Sequence, residues 1–326
     1  MLDARGIAEG PNASPAGDTC GSEATDASSA SLSCVVPSPL EHLSIAIAVV
    51  AALPVEHRGA FFAGAIAPDV DKLLGWPRAT THWWVPGTDL SGALRLCAAK
   101  PRLVHQPPRS DAQAFVAGYL CHLVTDEQWT LRIYRNFFGK HTPFKGGPDG
   151  ADHQLALQSR LDTEIVRSGE VTSAVVDLSL QLEVEALARN VLGMAARDAR
   201  AVDRFVRSVV RRATETDSVR RLQMMADARD AERSPQSGVS GPRSDALLHP
   251  RTTDSREALA SFVARLPTLT GAVSRLISPE EIGAFRESAI RESVQIVRDY
   301  LAGRALTPPT GTAVAPYFAS PARTAL

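Results

Sequence analysis

The chain has 326 residues, of which 44% are hydrophobic, and its 35 basic and 36 acidic side chains leave a net charge near −1. This supports a large core in one long domain or two shorter ones, and it argues against a global electrostatic pull toward nucleic acid or anionic lipid. Four cysteines with no C-x-x-C spacing argue against a disulfide framework, a redox pair or a cysteine zinc site.

Residues 1–37 are rich in Gly, Ser, Ala, Asp and Thr and read as a disordered tail without the apolar stretch of a signal peptide. Order is expected to begin at "PSPLEHLSIAIAVVAALP", where Ser38 can cap a helix, Pro39 suits its first turn and Pro54 stops it. The apolar run from Leu43 to Leu53 is too short to span a bilayer, which takes about 20 residues. A soluble, cytoplasmic protein is therefore expected.

Helical patterns follow throughout. "VEHRGAFFAGAIA" ends at Pro68, and "DAQAFVAGYLCHLVTDEQWTLRIYRNFF", the longest and most apolar, ends at Gly139. "ADHQLALQSRLDTEIVRSG" follows a "KGGPDG" loop. The stretch from Thr172 to Arg233 reads as two or three amphipathic helices, and the arginines from Arg197 to Arg233, interspersed with acids, read as a solvated face. A linker or loop is expected over 233–256, then the helices "SREALASFVARL" and "SPEEIGAFRESAIRESVQIVRDYLAG", the second with Ser278 and Glu281 spaced for a capping box. No alternating strand pattern appears, so the expected fold is an all-α multi-helix bundle. The expected organisation is a helical metal-binding domain over 38–232, C-terminal helices over 257–304 packing on it, and a loose tail over 305–326.

Five potential ligands lie in the first half of the ordered chain: His42, Asp69, His82, His122 and Asp126. Imidazole with carboxylate is a ligand set for zinc or a related divalent ion. His122 and Asp126 are one helical turn apart, so both can approach one ion. A carboxylate can also bridge two ions, as two-metal hydrolytic sites require. Taken singly, a histidine on an apolar face is more often hydrogen-bonded in the core, and Pro-Asp at Asp69 is ordinary turn chemistry. Together they would be costly to bury unless paired or metal-bound. Asp71 could orient a ligand or cap the next turn. Trp83, Trp84 and Trp129 flank the ligands and read as pocket lining or core. Neither G-x-S-x-G nor a phosphate-binding glycine loop occurs.

The order of "EHLSIA", "FFAGAIAPDVDK", "TTHWW" and "FVAGYLCHLVTDEQW" resembles the zinc-dependent phospholipase C family, and more closely its uncharacterised bacterial branch, over roughly residues 40–165. The resemblance implies the phospholipase C / single-strand nuclease-like fold, with a zinc cluster between helices. By position, Asp69, His82 and His122 would complete one zinc, His42 would serve another, and Asp126 would bridge them. The chain departs from that family's pattern. A long segment precedes His42 where the phospholipases place a free N-terminal Trp ligand. The H-x-x-x-E step of their third zinc is missing, since Lys145 follows His141 and Leu157 follows His153 four residues on. Asp152, His153, Asp162 or Glu164 would have to replace it, so one or two zinc ions are expected.

The resulting expectation is a zinc-dependent hydrolase that uses a metal-bound hydroxide on a phosphoester, with Asp69 and Asp126 catalytic. Its substrate would be a small or lipid-like molecule rather than nucleic acid. The alternatives are a metal-dependent lyase or cyclase of small-molecule biosynthesis and a non-catalytic helical protein.

Overall fold

A computed structural model describes residues 37–74, 76–83, 92–139, 142–144, 148–181, 183–233 and 252–304. The expected tails, and most of the expected linker, lie outside the described residues. Among the described residues every regular element is helical.

Helix α1 (Pro39–Ala52) starts as expected: the Ser38 side chain accepts from the Glu41 backbone N–H, Pro39 occupies the first turn, and the helix stops at Leu53. Helix α2 (Arg58–Ile66) runs into a tight 3₁₀ turn, Ala67–Val70, which contains Pro68 and places Asp69 at a helix end. Short helices α3 (Asp71–Leu74) and α4 (Ala79–His82) follow, then α5 (Gly92–Ala99) and α6 (Pro101–Val104).

Helix α7 (Asp111–Trp129) is the spine of the bundle. Ser110 caps it by accepting from the Gln113 backbone, and every residue from Ala114 to Asp126 is buried. A helix apolar on all sides belongs in the middle of a bundle. It packs against α2 on one side and α14 (Pro279–Leu301) on another. The α2–α7 contact is made backbone to backbone. A Cβ on Gly118 would fall 1.9 Å from the Phe61 carbonyl oxygen, and one on Gly64 would fall 2.0 Å from that of Phe115. The two glycines thus permit a crossing that any side chain would wedge apart. On the α14 side, Trp129 meets Phe285 edge-on at 5.3 Å, and the Ser288 hydroxyl donates to Gln128 at 2.9 Å. Trp129 is fully buried, so of the two readings of this tryptophan the core is the one realised. Beyond Trp129 the spine widens into a nine-residue π-helix, Thr130–Phe138, which Gly139 ends.

The remaining helices are α8 (Pro148–Ser168), α9 (Thr172–Leu180), α10 (Val184–Leu192), α11 (Ala196–Ala213), α12 (Ser218–Arg233) and α13 (Thr252–Leu276). Three boundaries differ from expectation. The "KGGPDG" loop gives its last three residues to α8. The stretch read as two or three helices is four; the breaks after Leu180, Leu192 and Ala213 carry no proline to mark them, and among their described residues one, Gly193, is left-handed at φ 68°. Helix α13 begins inside the expected linker, at Thr252, and continues through Pro267. Proline removes one backbone bond there, but the buried Leu269 and Val273 beyond it hold the last turns to the core.

Two arginines of the stretch read as solvated are in fact buried. Arg212 and Arg221 are 6% and 3% exposed, whereas Arg207 and Arg220 are exposed and pair with Asp203 and Glu215. Asp162 lies in the electrostatic field of both buried arginines and accepts a hydrogen bond from the Ser38 hydroxyl.

Candidate metal centre

All five residues singled out from the sequence converge at the junction of α1, α2, α4 and α7. His42 comes from the first turn of α1, Asp69 from the 3₁₀ turn, His82 from the end of α4, and His122 and Asp126 from successive turns of α7. None is more than 7% exposed. Three groups of donor atoms, each with its members within 4.8 Å of one another, could hold a metal ion: His82, His122 and Asp126; His42, Asp69 and His122; and Asp69, Asp71 and His82.

The imidazole orientations follow from the partners on their far sides. His122 Nδ1 lies 2.8 Å from the Ala65 carbonyl, which can only accept, so Nδ1 carries the hydrogen and Nε2 presents a lone pair to the cluster. His82 Nδ1 lies 2.8 Å from Thr81 Oγ1 and 3.2 Å from the Asp71 carboxylate, which fixes its Nε2 inward in the same way. The two Nε2 atoms face each other at 3.1 Å, and each is 3.4 Å from Asp126 Oδ2.

Three electron-rich atoms so close together repel one another unless a cation or a proton sits among them. With zinc–ligand bonds of about 2.0–2.1 Å in a tetrahedron, adjacent donors stand about 3.3 Å apart. The triangle of 3.1, 3.4 and 3.4 Å matches that edge length.

Asp126 reaches in two directions. Its Oδ2 faces His82 and His122, while Oδ1 is 3.3 Å from His42 Nε2. A carboxylate so placed can serve two ions at once. His42 stacks on His122 with ring centroids 3.8 Å apart, and its buried Nδ1 has no hydrogen-bond partner. Asp69 Oδ1 is 3.6 Å from His82 Nε2.

The electrostatics favour a cation. Burial pushes the Asp126 carboxyl toward protonation, but the Arg78 guanidinium and His122 outweigh it and hold the group well below the usual carboxylate range. Burial and Arg78 push His82 down, yet its hydrogen bonds to Asp69 and Asp71 prevail and raise it. His42 is lowered to about 4, by burial first and His122 second, so its ring is neutral. The field that draws a proton to His82 is the field that would draw a metal ion.

The surrounding residues hold this geometry in place. Tyr119 donates to the Thr81 carbonyl. Gly92 lets α5 press against the His82 backbone, where a Cβ would lie 2.6 Å from the carbonyl oxygen. Trp83, just after His82, takes a left-handed φ of 55°, a conformation that costs a non-glycine residue roughly 1 kcal/mol. Asp71, weighed as ligand-orienter or cap, has its carboxylate on His82. Arg78, which no motif marked, touches Asp126 directly.

The residues considered as replacements for a third site are engaged elsewhere. Asp152 pairs with Arg265 at 2.7 Å, His153 stacks on Phe144, Glu164 meets Arg160, and Asp162 accepts from Ser38. His141 and Trp84 lie outside the described residues. His57 lies at the surface, bound to Asp111 and to the Arg109 carbonyl.

Fold and site together define an all-α bundle whose buried His/Asp cluster could hold a metal ion. No family model and no solved structure matches the chain. The chain is similar to the capsid assembly protease C of Escherichia phage lambda, at 28% identity over 252 residues. The similarity covers 75% of this chain and 54% of that relative, so the chain spans about half of the relative's length. No helix among the described residues is long and apolar enough to cross a membrane.

Proposed function

We propose that the chain is a zinc-dependent hydrolase of phosphoesters, with one or two ions held by His42, Asp69, His82, His122 and Asp126, working in the cytoplasm on a small or lipid-like substrate. The observation that carries this is the pair of inward imidazole nitrogens 3.1 Å apart and facing an ionised carboxylate. The ordered resemblance to the zinc-dependent phospholipase C family supports the same reading.

When bound, the ion would supply a Lewis acid that activates water and stabilises charge developing on the phosphate oxygens. The chain's own residues have separate tasks. Asp126, kept anionic, positions His42 on one oxygen and His82 and His122 on the other. Thr81 and Asp71 hold the His82 ring, and the Ala65 carbonyl holds that of His122. Asp69 would orient a water and accept its proton.

The test is turnover of bis(p-nitrophenyl) phosphate by purified protein, with a labelled peptide substrate assayed alongside because the phage relative is named a protease. The reading requires phosphodiester cleavage that chelator abolishes, that zinc restores, and that Asp69→Asn and Asp126→Asn each lower by about 100-fold or more. Cleavage that persists in chelator, or that is confined to the peptide, would refute it.

A further inference from the structure

The exposures of the cluster's side chains differ. His42, Asp69, His82 and His122 are 0–2% exposed, whereas Asp126 is 10% and Arg78 is 16% exposed. Among the described residues, the cluster therefore meets solvent along the edge made by Arg78 and Asp126. Arg78 lies between Pro77 and the first turn of α4, and its Nη2 donates to Asp126 Oδ2, the same oxygen that faces His82 and His122. An ion seated among His82, His122 and Asp126 would take the electron density of Oδ2 that the guanidinium now shares. The cation would also repel the guanidinium, turning its donors outward.

From this we propose that Arg78 is the substrate's anion-binding residue: it exchanges Asp126 for a phosphate oxygen when the metal is bound, and it selects phosphoesters over neutral esters. The inference rests on the phosphoester reading above. Three features suit the role. The guanidinium is planar and can bind two oxygens of one tetrahedral anion, it cannot lose its proton, and it stands at the open edge of the site. It also explains why a cation is tolerated beside a cluster built to attract one: without substrate, Arg78 neutralises Asp126.

The experiment compares zinc-loaded wild type, Arg78→Met and Arg78→Lys by calorimetric titration with inorganic phosphate. It also measures zinc content, melting temperature and kinetics on bis(p-nitrophenyl) phosphate and on neutral p-nitrophenyl acetate. Expected for Arg78→Met are full zinc content, phosphate binding weakened roughly 10- to 100-fold, a comparable rise in KM for the phosphodiester with a smaller change in kcat, and little change on the neutral ester. Arg78→Lys should recover part of the phosphate affinity.

Unchanged phosphate affinity in a folded, zinc-loaded Arg78→Met protein would overturn the proposal, as would a wild type that binds zinc and no phosphate. If Arg78→Met fails to fold, Arg78→Lys decides. Its single point charge should weaken phosphate binding measurably, and equality with wild type overturns the proposal. Phosphate bound through Arg78 by a protein with no phosphodiester turnover would support this inference and defeat the hydrolase reading alone.

Discussion

Two polar groups on the first turn of α1 meet opposite circumstances one residue apart. Glu41 is 1% exposed, and Arg286 of α14 grips both its oxygens, at 2.6 and 2.8 Å. His42 is as deeply buried, yet its Nδ1 has no hydrogen-bond partner, and its Nε2 faces an anion that Arg78 also holds. The first group is a buried carboxylate whose counter-ion, the half-buried Arg286, the chain supplies itself. The second belongs to a cluster weighted toward acceptors. Burying a charge is tolerable when its partner is supplied by the chain. Where the chain supplies mostly acceptors, a cation could complete the set.

This contrast can be broken by mutation. The largest effect is expected at the matched pair. Arg286→Met leaves the Glu41 carboxylate buried and alone, which should cost roughly 3–5 kcal/mol of stability in urea unfolding, with or without chelator. A loss under about 1 kcal/mol would show that the pair is not what joins α1 to α14.

A second, smaller effect separates the other matched group by pH. Burial raises the Asp162 carboxyl from its ordinary 3.8 to about 6, against the pull of Ser38, Arg212 and Arg221. A raised folded-state value means stability that is fully present below about 3.8 and is lost as pH rises through about 6. Wild type should therefore lose up to about 3 kcal/mol over that window relative to Asp162→Asn, in which the titration is absent. Parallel pH profiles for the two proteins would mean that the arginines keep Asp162 ionised throughout.

The smallest effect has the opposite sign. In chelator, His42→Leu removes a buried polar ring and keeps comparable volume, so it should stabilise the protein by about 1 kcal/mol while lowering its zinc affinity. A destabilised His42→Leu protein in chelator would mean that the ring is held by structural contacts after all.

Much of the cluster was legible in sequence because its members are rare residue types in apolar surroundings: His122 and Asp126 stand out in a helix otherwise made of core residues. Caps at Ser38, Ser110 and Ser278 are local chemistry, and helix starts at two of them, Ser38 and Ser278, could be read directly. The pairing of Gly118 with Gly64 depends on how α2 crosses α7 and has no local signal. What could not be read depends on distance along the chain. Arg78 meets Asp126 across 48 residues, and Arg286 meets Glu41 across 245, with no spacing rule to link them. Arg212 and Arg221 carried the same sequence signal as their exposed neighbours, and only packing of α11 and α12 decides which are buried. The continuation of α13 through Pro267 likewise reflects tertiary burial overriding a local break.

The most direct test of the central claim is elemental analysis and zinc-edge X-ray absorption on wild type, His122→Ala and Asp126→Ala, each purified without added metal and then dialysed against zinc. The cluster geometry predicts one or two tightly held ions per wild-type chain with imidazole and carboxylate ligands at about 2.0–2.2 Å. It also predicts loss of at least one ion in each variant while the helical circular dichroism is retained. A wild type that binds no zinc, or variants that keep the full complement, would contradict it.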